Sequence, residues 1–269
     1  MLFYRTGSLS DSIVFLVLSL LLIQIPSEER TLAHRQCNDG RCNFDFIEYF
    51  CGKGELTRHL LKKGFWGAAV ALINDAEAQD CLEPCGLRLF LNLLGAAKDH
   101  ALIWLGTQCS SFVILCLAQS QRYAENFFRG DMQREFVRIG NALQEFSSLV
   151  MFLGYLLNCE TILEQPLNSC MPQAGSFPHV LSFVAARKHV TYAGAFGASS
   201  VKPLQLWHAG VGNFADVERP KPDWLTESLA THDDQGRFTG RRDALEISGQ
   251  YTPAFAMAVA DIYSAQFNP

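Results

Sequence analysis

The sequence lacks an apolar run long enough to cross a bilayer. The stretch from Ile13 to Ile25 is almost wholly apolar, but Pro26 and Ser27-Glu28-Glu29-Arg30 close it short of the ~20 residues a spanning helix needs. An excess of positive charge is lacking too. The formal net charge is −5, so the overall balance does not supply the basic face typical of proteins that grip nucleic acid. There is no internal repeat and no low-complexity run, which excludes solenoid and fibrous architectures. Metal-ligand spacing is missing as well. Cys37/Cys42 and Cys81/Cys85 read C-x4-C and C-x3-C, without His or Cys partners at the usual distance, so no metal is expected. Cysteine itself is plentiful. The nine residues are an odd number, which leaves one over in any full disulfide scheme, and most of them read as small buried hydrophobes.

What is present is the composition of a globular core, with 49% hydrophobic and 18% charged residues. A chain of 269 residues has room for one large α/β domain, or for one domain with a small appendage. Residues 1–43 form the appendage. Ile13–Ile25 has the length of a signal-peptide h-region, with Arg5 as its positive n-region. It reads equally as a membrane anchor or organelle-targeting segment, or as a packed N-terminal helix. Residues 26–43 are polar, carry Pro26 and Gly40, and read as a linker.

From Phe44 the pattern changes. Phe44–Phe50 is aromatic and partly alternating, which predicts a strand; Gly52 and Gly54 break it. Glu55–Lys63 then places Leu56, Leu60 and Leu61 on one helical face, with Gly64 as the stop. Further strands are expected at Ala68–Ile73, Ala101–Leu105, Cys159–Leu163 and His189–Ala193. Helices are expected at Leu87–Ala97, at about Arg134–Leu157, and at Phe177–Arg187. The stretch 208–250 has low periodicity. Thr252-Pro253 then gives an N-cap followed by proline at the first helical position, with Phe255, Val259 and Ile262 as an apolar stripe. Strands alternating with helices predict a mostly parallel sheet covered on both faces, with a domain over 44–269 and 208–250 as a reduced variable insert.

Three constellations can carry chemistry. The glycine turn Phe50-Cys51-Gly52-Lys53-Gly54 lets backbone N–H groups approach a ligand with no Cβ in the way. Asp75 stands about 20 residues further on, where an acid at the end of the next strand accepts ribose hydroxyls; Asn74 and Asp80 are rivals for that place. The second is Gly106-Thr107-Gln108-Cys109-Ser110-Ser111-Phe112, directly after the third strand. The third is Leu163-Glu164-Gln165-Pro166, at the end of the fourth. A thiol and a carboxylate converging at the carboxyl ends of strands can act as nucleophile and proton handler.

Together these residues resemble the C5-cytosine methyltransferases. Glu48-Tyr49-Phe50-Cys51-Gly52-Lys53-Gly54-Glu55-Leu56 is similar to motif I, D-L-F-C-G-x-G-G-L. Cys109-Ser110-Ser111-Phe112 is similar to the catalytic P-P-C-x-S-F loop, and Glu164-Gln165-Pro166 to the E-N-V or E-N-P motif. Two further segments resemble family sequence. Lys202-Pro203-Leu204-Gln205-Leu206-Trp207 is similar to R/K-K-P-T-x-L-W, and Gly249-Gln250-Tyr251-Thr252-Pro253 to the closing G-N-x-V-P-P helix. The motifs occur in family order and span 44–265. The resemblance implies a Rossmann-like fold that binds S-adenosyl-L-methionine (SAM) through Phe50, Cys51, Gly52, Gly54 and Asp75. It also implies Cys109 as the nucleophile toward a cytosine of DNA or RNA, and Glu164 as the acid beside the base.

The chain departs from the pattern at three places. Thr107-Gln108 stands where the family has prolines, removing the rigidity proline imposes on φ. Gln165 replaces the asparagine, and little room for a target-recognition domain lies between Trp207 and Gly249. These departures define a second expectation: a catalytically degenerate member that keeps the fold as a binding protein, membrane-tethered or secreted through residues 13–25. The sequence leaves target, compartment and oligomeric state open.

Overall fold

Phe44–Tyr49 forms the strand its aromatic alternation predicts (β1), and every residue in it is buried. Around it stand β2 (Gly67–Val70), β3 (Ala97–Leu105), β4 (Glu160–Pro166), β5 (Arg187–Tyr192) and β6 (Pro203–Ala209), in the order β2-β1-β3-β4-β6-β5. This computed structural model describes residues 44–71, 78–224, 230–232, 238–240 and 249–267. The apolar stretch 13–25, the linker 26–43, and Asn74 and Asp75 lie outside the described residues. The chain divides between Cys42 and Asn43 into two units, and the second contains everything described below.

The protein is an α/β structure with a mostly parallel six-stranded sheet. β1 pairs in parallel with β2 and β3, and β3 with β4. The expected strands recur with shifted ends. β3 begins four residues earlier, at Ala97, and the helix expected over 177–187 stops at Phe183. Ala185 then takes a left-handed φ of 50°, which no helix continues through, and Arg187 already belongs to β5. β6 is the strand that periodicity does not reveal. It runs antiparallel to both β4 and β5, with Leu206 opposite Glu164 on one side and His189 on the other. Within the low-periodicity stretch, Ala230–His232 (β7) and Phe238–Gly240 (β8) pair as a separate antiparallel ribbon.

Helices cover both faces. On one, α1 (Glu55–Lys62) and the last helix, Pro253–Gln266, bring Leu56, Leu60, Phe255 and Val259 against Phe46 and Trp104 of the sheet. On the other lie α2 (Pro84–Gly95) and α3 (Glu135–Leu156). Tyr49 stacks on Phe90 at 4.8 Å, and Phe146 meets Phe90 edge-on at 5.1 Å. Fully burying such a side chain contributes about 1.5–3 kcal/mol, so this cluster fixes the register of β1 against both helices. Phe177–Phe183 is α4, which makes the last helix α5. Its start is as the sequence predicts: Pro253 takes the first turn, and Phe255 N–H donates to Thr252 Oγ1 at 3.1 Å.

This topology fixes where a ligand fits. From β1 the chain moves outward to β2, then returns past β1 to β3 and continues to β4. The strand order therefore reverses between β1 and β3. In open α/β sheets the crevice outside the carboxyl ends at such a reversal is where ligands bind.

Candidate functional site

At that crevice the chain leaves β1 through three successive left-handed turns. Phe50 has φ 60°, Gly52 53° and Gly54 65°. The glycines adopt this conformation without strain, whereas for a bulky residue such as Phe50 it costs about 1–3 kcal/mol. Its ring is held by edge-on contact with Phe146 at 5.9 Å. Gly54 is the N-cap of α1, and its N–H donates to Cys51 O at 2.8 Å. A Cβ on Gly52 would meet nothing within 4 Å, so that backbone borders open space.

The open space is a small cleft of about 90 Å3 that opens to solvent, and its walls include Phe50, Cys51, Gly52, Gly106, Glu164 and Tyr251. Residues predicted from three separate stretches thus share one cavity. Cys109 is not in its wall, but it feels the Glu164 carboxylate. Burial first, then the charge of Glu164 and the nearby Cys116, push the Cys109 thiol up to about 11, while Lys202 draws it down. The thiol is free and partly accessible. Of the rivals for the ribose site, Asp80 serves the turn before α2, accepting from Leu82 N–H at 2.9 Å. Asp75 lies outside the described residues.

No protein-family model matches this chain, and no curated protein matches it.

The Cys109 loop is rigid without prolines. Gln165 Nε2 donates to Thr107 O at 2.7 Å, and Ser169 Oγ donates to Gln165 Oε1 at 2.9 Å. Ser147 Oγ spends its proton on Leu143 O, so in its 2.8 Å contact with Thr107 Oγ1 the threonine is the donor. The two departures from the family pattern therefore contact each other. Gln165 turns toward the loop backbone, and Thr107 is fastened at both its carbonyl and its hydroxyl. Beyond Cys109, Phe112 N–H donates to Cys109 O at 2.8 Å. Arg122 donates to Ser111 at both O and Oγ, each at 2.9 Å.

Glu164 is nearly buried. Tyr251 OH donates to its Oε2 at 3.1 Å, and its Oε1 has no partner among the described residues. A buried carboxylate oxygen without a partner is costly unless a ligand completes it.

Three further residues of the site lie within the quoted motifs, although the sequence alone assigns them no role of their own. Tyr251 and Gly106 line the cleft, and a Cβ at Gly106 would sit 2.9 Å from the Tyr251 hydroxyl, so only glycine leaves the phenol its place. The third is Glu48, fully buried beneath the glycine loop. Thr57 donates to its Oε2 from N at 2.9 Å and from Oγ1 at 2.5 Å, while Oε1 has no partner among the described residues. Burial outweighs these bonds and raises the Glu48 carboxyl from 4.5 to about 7. The folded chain therefore holds a proton that the unfolded chain releases above about pH 4.5. Stability from this group is complete below that pH and is lost as pH rises through about 7. By linkage the loss approaches about 3 kcal/mol. Glu48→Gln cannot ionise. In urea unfolding it should match wild type near pH 4.5 and gain on it by pH 8; an equal pH slope in both proteins would refute the assignment.

Proposed function

We propose that this chain is a SAM-dependent methyltransferase of the cytosine-C5 type, acting on DNA or RNA through a covalent bond from Cys109. One observation carries the reading: the crevice at the β1/β3 reversal joins the glycine loop to Glu164, and Glu164 in turn acts on Cys109. The parallel sheet covered on both faces supports the finer description as a Rossmann-like donor fold.

The residues present suit the donor. The backbone of Phe50, Cys51, Gly52 and Gly54 would hold it, and a cation bound there would favour the ionised form of Glu48, whose carboxyl titrates at about 7. Asp75 would take the ribose. When bound, SAM supplies an electrophilic methyl group.

The remaining chemistry belongs to the chain. Cytosine C5 is a poor nucleophile. Once its proton has passed to solvent, the Cys109 thiolate bonds to C6, and the C5–C6 electron pair shifts to C5, which becomes enamine-like and able to take the methyl group. Glu164 would stabilise the ring at N3 and the exocyclic amine through Oε1. Once C5 carries the methyl group, loss of its proton to water expels the Cys109 thiolate and restores the ring. A thiol titrating at about 11 is almost wholly protonated at neutral pH, so attack draws on a small thiolate fraction, which the Lys202 cation favours. The base must stand outside a duplex stack or be single-stranded already.

The raised thiol is also the observation that favours the second reading, a degenerate member that binds SAM without chemistry. Incubating the full-length protein with methyl-labelled SAM and single- or double-stranded DNA and RNA separates the two. Label on cytosine, and a covalent complex with a 5-fluorocytosine oligonucleotide, support the enzyme. SAM binding with neither supports the degenerate member.

A further inference from the structure

Trp104, Tyr251 and Glu164 form a chain of hydrogen bonds whose direction can be read without seeing a proton. Trp104 is buried in β3, and its Nε1–H lies 2.8 Å from the Tyr251 oxygen. An indole N–H only donates, so the Tyr251 oxygen accepts there. The single phenol proton is then left for Glu164 Oε2, 3.1 Å away. Burial first, then the charge of Glu164, keep that phenol protonated well above the usual tyrosine range. Oε2 is therefore always an acceptor from Tyr251. Oε1 is buried, has no partner among the described residues, and is the oxygen of Glu164 that no donor engages while the chain of bonds is intact, hence the one left for a proton.

We infer that Tyr251 is a positioning residue for Glu164: it commits Oε2 as an acceptor and leaves Oε1 as the atom that exchanges a proton with the substrate. The inference rests on the proposed role of Glu164 beside a heteroaromatic base. It narrows the substrate to a ring with a nitrogen at its edge, which Oε1–H protonates or the ionised Oε1 accepts from. The aromatic part of Tyr251 has a separate task, packing edge-on against Trp104 at 5.8 Å and at a tilt against Phe255 at 5.3 Å. Tyr251→Phe removes the hydroxyl and keeps that packing.

The test uses the full-length chain with 15N-labelled tryptophan. In the wild-type background, Glu164→Gln should move the Trp104 indole resonance, because the phenol polarises both bonds. In the Tyr251→Phe background the same substitution should leave it in place. Equal shifts in the two backgrounds, or no shift in the first, would overturn the inference. If Tyr251→Phe does not fold, the wild-type-background shift alone decides, and its absence is fatal. In methyl transfer, Tyr251→Phe should lower kcat by about tenfold to a hundredfold, as expected for a misplaced catalytic group, with SAM affinity changed less than twofold. A merely structural tyrosine would lower affinity and melting temperature together. Transfer as fast as wild type would also overturn the inference. Should wild type show the resonance shift but transfer nothing, the proposed reaction fails and the positioning of Glu164 stands.

Discussion

Cys109→Ser should bind SAM as wild type does, melt at the same temperature, and transfer methyl groups at least about a thousandfold more slowly. The serine hydroxyl is a far weaker nucleophile near neutral pH, and the thiolate is the species that attacks. Cys109 is only partly buried and lies between two anchors that do not use its sulfur, so folding does not depend on it. The 5-fluorocytosine adduct should vanish with the activity. Wild-type transfer should also rise with pH. The thiol titrates at about 11, so the thiolate fraction increases about tenfold per pH unit across the neutral range. An adduct that persists in Cys109→Ser would assign the nucleophile elsewhere.

Arg122→Met should cost about 3–5 kcal/mol, or roughly 10 °C in Tm. Arg122 is 1% exposed, and no carboxylate is among its hydrogen-bond partners in the described residues. Instead it donates to the carbonyls of Ser111, Phe128, Arg129 and Val137 and to Asn141 Oδ1, and lies 3.6 Å from the Phe112 ring centre. One guanidinium thus ties the segment after Cys109 to the start of α3. Methionine fills the volume but withdraws the guanidinium from the buried Ser111 O and Val137 O and the part-buried Phe128 O, each lost bond costing about 1–3 kcal/mol before relaxation. Lysine keeps the charge but spans fewer acceptors, so Arg122→Lys should fall between. Chemical denaturation of the full-length chain checks the series, and a loss below 1 kcal/mol for Arg122→Met would show that the loop stands without its clamp.

Local pattern carried much of this fold. The aromatic alternation of β1, the glycine break and the Leu56/Leu60 face place the first strand, loop and helix, and Thr252-Pro253 places the start of the last. β6 stayed hidden because it is buried on both faces yet contains Gln205 and His208, which interrupt an apolar run. Distant partners satisfy those polar groups: Gln205 donates to Pro166 O at 2.9 Å, and His208 pairs with the buried Glu160 at 2.8 Å. No window along the chain contains that information. The same holds at the site. The glycine loop and Glu164 could be picked out by position after a strand. Tyr251, by contrast, finds Trp104 across 147 residues, and Arg122 sits in the polar run Gln119-Ser120-Gln121 that reads as surface. Thr107 and Gln165 looked like losses relative to the family motifs; in three dimensions they bond to each other.

Binding of SAM to the full-length protein, followed by titration calorimetry, tests the central claim most directly. The account predicts one SAM per chain. Gly52→Val, whose side chain would project into the cleft from a left-handed position, should weaken binding at least about tenfold, the equivalent of 1.4 kcal/mol. Absence of any heat and of any rise in Tm at millimolar SAM, with the protein folded, would contradict it.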